Sequence, residues 1–224
     1  MTQLLFVHLA KTGGTSVRRI LKASAANSFD CLHHHTFIRF RDGERVQRGR
    51  LDPRRIGPYP LAFLMVRHPL ARLVSCYRYF RAGGLNAQAG DRVFPADKAA
   101  QQLLSRKAPS IEDCCKKLPE IATRIPHFQP MAFWLDRWPN PLADRVFTGR
   151  QERFDADLQL LFDQLGVPLN PAWLQRSNSS GPLQAASPEA RAGLSAAALE
   201  QLQAFYAEDF RRFGYNLRPA DSER

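Results

Sequence analysis

The chain has 224 residues, of which 44% are hydrophobic and 24% charged, as in a folded globular protein. No stretch approaches the ~20 apolar residues of a membrane-spanning helix, and the region after Met1 lacks the segments of a signal peptide. We therefore expect a cytoplasmic protein with one domain, residues 1–217, and a polar tail, residues 218–224. Its four cysteines lack metal-site spacing, so reduced thiols are expected.

The net charge of +11 is concentrated in the first third of the chain. Residues 1–81 contain 15 Lys and Arg against 4 Asp and Glu, whereas residues 82–224 contain 17 of each. A positive field confined in this way favours an anionic ligand. Nucleic acid is one such ligand, but no zinc-finger spacing, basic zipper or RNA-binding aromatic motif accompanies the charge.

The chain opens with an apolar run that predicts a buried parallel strand, followed by a Gly-rich turn and a helix. Glycines allow a tight turn and a close approach to a ligand, and the first N–H groups of a helix favour an anion. The turn therefore predicts a phosphate-binding loop; the alternative is a Gly-rich turn without a ligand. The residues of the loop are Lys11, Thr12, Gly13, Gly14, Thr15 and Ser16.

The first helix is predicted over residues 15–26 and a short second strand over residues 29–32. Three consecutive histidines follow, His33, His34 and His35. Adjacent residues do not easily converge on one ion, and no Asp, Glu or Cys ligand pattern accompanies them, so no metal is expected. The basic stretch 39–60, with its Gly and Pro residues, predicts a surface loop.

The second clear strand is predicted over residues 61–66, and an amphipathic helix follows to about residue 80. A nucleoside triphosphatase usually presents an Asp at the end of such a strand to hold magnesium. This chain presents Arg67, which suits direct contact with phosphate instead.

Two motifs resemble those of sulfotransferases that use 3′-phosphoadenosine 5′-phosphosulfate (PAPS). The stretch Lys11-Thr12-Gly13-Gly14, in which the lysine precedes the glycines, resembles their 5′-phosphosulfate loop. The stretch Arg67-x-Pro69-x-x-Arg72-x-x-Ser75-x-Tyr77 resembles their 3′-phosphate motif. The chain is most similar to the carbohydrate branch, sulfotransferase family 2, which includes the heparan and dermatan 2-O-sulfotransferases and bacterial relatives.

This resemblance implies an α/β fold, a single P-loop-like domain with a central, mostly parallel β-sheet flanked by helices. It implies transfer of a sulfuryl group from PAPS to an acceptor hydroxyl, with a carbohydrate favoured, to give 3′,5′-adenosine bisphosphate (PAP) without a metal. The base is expected to be His35, with His33 second, and Lys11 to stabilise the leaving group. Arg67 and Ser75 would hold the nucleotide beside the loop, and Arg176 and Asn178 would cover it.

The remaining elements are predicted from local patterns. Residues 82–108 are predicted to form an insertion or mobile loop. Ser110 is predicted to cap the N-terminus of a helix. The aromatic segment 127–135 is expected either to pack in the core or, as the resemblance implies, to border the acceptor cleft. A strand over 145–149, a helix over 154–165 ended by Gly166, and a last helix starting near Ser195 complete the chain.

Three other functions stay open at this point. The first is a kinase on a related nucleotide fold, which would need magnesium and ATP. The second is a nucleic-acid-binding module that uses the basic first third, although we expect no nucleic-acid partner. The third is an inactive relative that binds the nucleotide. The sequence defines neither the acceptor nor the oligomeric state.

Overall fold

The computed structural model describes residues 4–33, 36–50, 59–84, 93–137, 146–174 and 193–216. They form an α/β fold with a six-stranded sheet and flanking helices, as predicted. They divide into two compact units. The first unit contains the described residues between 4 and 67 and between 134 and 174, including the whole sheet. The second contains those between 68 and 133 and between 193 and 216.

Six strands form one mixed sheet in the order β4-β3-β2-β1-β5-β6. Strand β1 pairs in parallel with β2 and β5, and β5 pairs in parallel with β6. The pairs β2–β3 and β3–β4 are antiparallel. The strands are β1 (Leu4–Val7), β2 (Phe29–His33), β3 (Thr36–Arg41), β4 (Glu44–Arg50), β5 (Leu61–Val66) and β6 (Val146–Arg150).

The described residues contain nine α-helices, more than the sequence predicts. They are α1 (Gly14–Ala23), α2 (Pro69–Arg81), α3 (Pro95–Lys107), α4 (Ile111–Lys116), α5 (Leu118–Arg124), α6 (Met131–Leu135), α7 (Phe154–Leu165), α8 (Ala196–Phe205) and α9 (Ala207–Arg212). Short 3₁₀ turns cover Pro126–Phe128, Gln151–Arg153 and Pro171–Leu174. No helix in these ranges is long and apolar enough to cross a membrane.

The core of the first unit lies between one face of the sheet and the helices α1 and α7. Helix α1 contributes Val17, Ile20 and Leu21, whose spacing of three and four residues places them on one face. Phe154, Leu158 and the residues around them contribute the matching face of α7. Gly166 ends α7 in the left-handed conformation, with φ of 65°, as predicted.

The predicted surface loop over residues 39–60 is wrong for its first part, because residues 36–50 form the β3–β4 hairpin. Asp42 and Gly43 form its turn with φ of 49° and 78°, which suits the twist of paired strands. Strand β4 was not predicted because all seven of its residues are exposed, so its sequence has no buried apolar positions. Residues 51–58 lie outside the described residues.

The predicted insertion or mobile loop over residues 82–108 is also wrong for residues 95–107, which form α3. Pro95 begins this helix and Asp97 lies in its first turn, both favourable at an N-terminus. Ser110 caps α4 as predicted, in a capping box with Asp113. Ser195 caps α8, and the last helical segment breaks at Tyr206 into α8 and α9. All four cysteines are buried thiols.

Candidate active site

The predicted phosphate-binding loop joins β1 to α1 in the first unit. Lys11 and Gly13 both have left-handed backbone conformations, with φ of 65° and 88°. The carbonyl oxygen of Gly13 accepts the N–H groups of Ser16 and Val17 at 3.0 and 3.2 Å, which starts the helix. The N–H groups of Gly14 and Thr15, at the first two positions of α1, have no acceptor within their own helix, so they are available to an anion.

Gly14 is required by the position of a histidine ring. A Cβ atom at Gly14 would lie 2.0 Å from Cδ2 of His8, so the ring occupies the space that a side chain would need. A Cβ atom at Gly13 would lie 3.3 Å from side-chain carbons of both Gln151 and Phe154. The two glycines therefore let the loop pass closely between β1 and the start of α7.

The hydroxyl groups of the loop have different environments. Thr12 is fully buried and donates its hydroxyl proton to the carbonyl oxygen of Leu9 at 3.0 Å, so the loop itself uses this donor. Ser16 is buried at the start of α1, whereas Thr15 is exposed. Thr15 is consequently the hydroxyl of the loop that solvent and a ligand reach most easily.

Arg67 lies next to this loop, because β5 pairs with β1 in the sheet and Arg67 follows β5 directly. Its Nη1 atom donates to the carbonyl oxygen of Lys11 at 3.4 Å. The contact brings the lysine motif and the strand-end arginine together within one unit. Two cationic residues that are distant in sequence thus lie side by side in the first unit.

His33 lies at the end of β2 and stacks on His8, with ring centroids 4.4 Å apart. Burial, together with the nearby charges of Arg18 and Arg48, lowers the pKa of His33 to about 4. The imidazole is therefore neutral at physiological pH, which is the form that can accept a proton. His35, the favoured base, lies outside the described residues, as do Arg176 and Asn178.

Ser75 belongs to the second unit, where it is half-buried on α2. Two other residues of its motif bind the protein itself. Arg72 is fully buried and donates to the carbonyl oxygens of His127 and Gln129, each at 2.8 Å. The hydroxyl of Tyr77 donates to the carbonyl oxygen of Pro109 at 2.7 Å.

Sequence reasoning missed two neighbours of the loop. His8 lies against Gly14 and stacks on His33, and the parallel register that pairs Val7 with Leu32 was the signal available for this contact. Gln151 reaches Gly13 from a 3₁₀ turn more than a hundred residues later, and no local pattern indicates that. Within the described ranges, no group of three or more His, Cys, Asp or Glu side chains is arranged to hold a metal ion.

Comparison with protein families gives one match. A family model described as "Sulfotransferase family" matches residues 2–216, which include the loop, the strand-end arginine and the last helices. Comparison with curated proteins and with solved structures found no match.

Proposed function

The chain belongs to the sulfotransferase family, and we propose that it transfers a sulfuryl group from PAPS to a hydroxyl group of a carbohydrate acceptor. The observation that supports this donor most directly is the contact between Arg67 and the carbonyl oxygen of Lys11. It joins two cationic features at the start of α1, a place that suits a ligand with several anionic groups.

PAPS would supply an activated sulfuryl group whose sulfur is attacked in line by the acceptor oxygen. A new bond forms between sulfur and that oxygen, and the bond between sulfur and the bridging oxygen of the 5′-phosphate breaks, leaving PAP. Lys11 and the N–H groups at the start of α1 would stabilise the negative charge that develops on the bridging oxygen. Their fixed positions in the loop lower the cost of reorganisation.

A histidine would accept the proton of the attacking hydroxyl. We favour His35 for this role and place His33 second. His33 is neutral and stacked on His8, so it also has the protonation state of a base. An anionic nucleotide beside Arg18 would offset the charge that helps to lower the pKa of His33.

Arg67 would bind the 3′-phosphate together with Ser75, while Thr12, Gly13, Gly14, Thr15 and Ser16 would surround the 5′-phosphosulfate. Arg176 and Asn178 would cover the nucleotide. In this arrangement Thr12 supports the loop through Leu9, and the backbone of the loop makes the contacts to phosphate. Direct contact of arginine and N–H groups with phosphate makes magnesium unnecessary for binding PAP.

The test is a calorimetric titration with PAP in the absence of magnesium. We expect the wild type to bind, and Arg67→Ala to bind about 10- to 100-fold more weakly, because a hydrogen bond to a charged group contributes about 1.5–3 kcal/mol. Arg106→Ala is the matched control, since Arg106 is exposed on α3 of the second unit. If the wild type bound ATP with magnesium but not PAP, the proposal would be wrong and the kinase alternative favoured.

A further inference from the structure

His8 directly follows β1 and places its ring on the face of the sheet that α1 covers. Side chains of a strand alternate between its two faces, and Leu4 and Phe6 of β1 belong to the core on this face. His8 continues their spacing of two residues, and it is only 7% exposed. A buried imidazole therefore stands where the apolar core meets the phosphate-binding loop.

A row of stacked rings connects the core with this imidazole. The ring centroids of Phe63 and Phe6 are 5.9 Å apart, those of Phe6 and His8 5.6 Å, and those of His8 and His33 4.4 Å. The planes of the three pairs are inclined by 24°, 20° and 26°. Phe6 and Phe63 are fully buried, so close packing fixes the start of the row and limits the positions open to His8.

The backbone brings His8 and His33 side by side. Strand β1 pairs in parallel with β2, with Val7 opposite Leu32, and the N–H of His8 donates to the carbonyl oxygen of Leu32 at 2.7 Å. The next residues of the two chains, His8 and His33, therefore project from the same face of the sheet. Backbone pairing alone leaves a side chain several rotamers, so the orientation of the His33 ring depends on the ring packed against it.

The ring of His8 also packs against the first residue of α1. A Cβ atom at Gly14 would lie 2.0 Å from Cδ2 and 2.4 Å from Nε2 of His8. The N–H of Gly14 is one of those available to an anion. One buried ring thus contacts both the backbone that would bind the donor and the imidazole of His33.

We propose that His8 is a positioning residue whose ring sets the position of the His33 imidazole relative to the phosphate-binding loop. The proposal rests on the proposed function and deepens it, because it names a residue that holds the histidine end of β2 beside the donor loop. In-line transfer needs the base, the acceptor oxygen and the sulfur in alignment, and a misplacement of about 1 Å can slow a reaction about 100-fold. The role requires a ring of this shape and no proton transfer by His8.

The experiment is an NMR pH titration of the full chain labelled at its histidine rings, with His33→Gln to assign the signal of His33. His8→Ala removes the stacked ring and admits water, so we expect the pKa of His33 to rise by about one pH unit or more from its value of about 4. His8→Phe keeps a planar ring in the stack and is expected to leave this pKa near 4. The charges that act on His33, Arg18 of α1 and Arg48 of β4, stay the same in both variants.

Phe6→Leu is the matched control, because it removes a ring from the same row but leaves His8 in place. We expect it to lower the stability to urea without changing the pKa of His33. If His8→Ala does not fold, His8→Asn, which also lacks a ring, takes its place with the same expected result. An unchanged pKa in the variant without a ring, or an equal rise in Phe6→Leu or His8→Phe, would overturn the proposal.

A double-mutant cycle tests the connection to the loop. Gly14→Ala must displace the His8 ring, so we expect it to shift the NMR signals of the His33 imidazole. In the His8→Ala background the added methyl group meets no ring, and the same substitution is expected to leave these signals in place. Equal shifts in both backgrounds would show that the loop affects His33 without His8, which contradicts the proposal.

These titrations use the protein without nucleotide, so they test His8 separately from the donor. Calorimetry with PAP on the wild type tests the donor. A wild type that binds PAP, with an unchanged pKa of His33 in His8→Ala, refutes the positioning role alone. A wild type that does not bind PAP, with a raised pKa of His33 in His8→Ala, refutes the proposed donor alone.

Discussion

The ring of His8 lies between His33 and the backbone of Gly14. It stacks on His33 with ring centroids 4.4 Å apart and occupies the position that a Cβ atom of Gly14 would need, 2.0 Å from Cδ2. One imidazole thus contacts both a candidate base and the phosphate-binding loop. A change at Gly14 must therefore reach both parts of the site.

We expect Gly14→Ala to lower both stability and affinity for PAP. The new methyl group cannot fit without moving the His8 ring, and overpacking of this kind costs about 1–3 kcal/mol. Urea unfolding measures the loss of stability, and calorimetry with PAP measures the loss of affinity.

Gly49→Ala provides the matched control. Gly49 lies in the exposed strand β4, and a Cβ atom there would meet nothing within 4 Å. We expect this variant to unfold and bind PAP as the wild type does. If Gly14→Ala behaved in the same way as Gly49→Ala, the His8 ring would not be held against the loop.

The lowered pKa of His33 predicts a pH-dependent stability. In the unfolded chain His33 has a pKa near 6.5, and in the folded protein its pKa is about 4. Between these values the unfolded state binds more protons, so the contribution of His33 is complete above pH 6.5 and is lost as the pH falls towards 4. The loss is up to about 3 kcal/mol.

Urea unfolding of the wild type and of His33→Gln at a series of pH values measures this effect. The wild type is expected to lose more stability than the variant between pH 7 and pH 4, since glutamine does not titrate. The carboxylates titrate in both proteins, so their effect on stability cancels when the two pH profiles are compared. Parallel pH profiles would show that His33 is not buried in its neutral form.

The two candidate bases can be separated by turnover. Removing a general base slows the chemical step by about 10²- to 10⁴-fold. We expect His35→Ala to lower the formation of PAP from PAPS in the presence of acceptor by this factor, with unchanged affinity for PAP. His33→Ala is expected to have the smaller effect; a larger effect than that of His35→Ala would assign the base to His33.

The elements that sequence predicted correctly are those whose pattern is local. The strands β1 and β5 are continuous apolar runs, and the spacing of apolar residues identified α7 and its end at Gly166. Strand β4 was missed because its seven residues are exposed, so no alternation of apolar residues indicates it. Pairing with β3 and the Asp42–Gly43 turn stabilise it instead.

The candidate site also contains some features that a local sequence pattern predicts and others that it does not. Residues Lys11 to Ser16 could be read as a loop because they are consecutive. The contact of Gln151 with Gly13 joins distant parts of the chain, and no local pattern contains it. In the second motif the sequence analysis assigned phosphate binding to Arg67 and no role to Arg72. Burial separates them: Arg72 is fully buried, whereas Arg67 is half-buried beside the loop.

This difference predicts that Arg72 stabilises the second unit. Arg72→Met removes the donors to the carbonyl oxygens of His127 and Gln129 and a positive charge near the buried Asp209. We expect a loss of about 3–5 kcal/mol in the free energy of unfolding. Arg78→Met, at an exposed position of the same helix, is the control and should change it by less than about 1 kcal/mol. Equal effects would contradict a structural role for Arg72.

A second buried charge, the carboxylate of Asp30, anchors the β3–β4 hairpin. Asp30 is 3% exposed, and its carboxylate accepts from Arg39 at 3.0 Å, from Arg41 at 3.3 Å and from the hydroxyl of Tyr59 at 2.5 Å. Burial, and then the hydrogen bond to Asp30, raise the pKa of the Tyr59 hydroxyl. One carboxylate on β2 thus holds two arginines of β3 and the residue that precedes β5 by two positions.

Asp30→Ala is expected to lower the free energy of unfolding by about 2–4 kcal/mol. The loss is below that of a fully buried pair, because the arginine side chains are 37% and 40% exposed and water can solvate them. Glu208→Ala removes the exposed pair with Arg211 and, in urea unfolding of both variants, should leave the stability nearly unchanged. An Asp30→Ala variant that is as stable as the wild type would show that the hairpin keeps its position without this carboxylate.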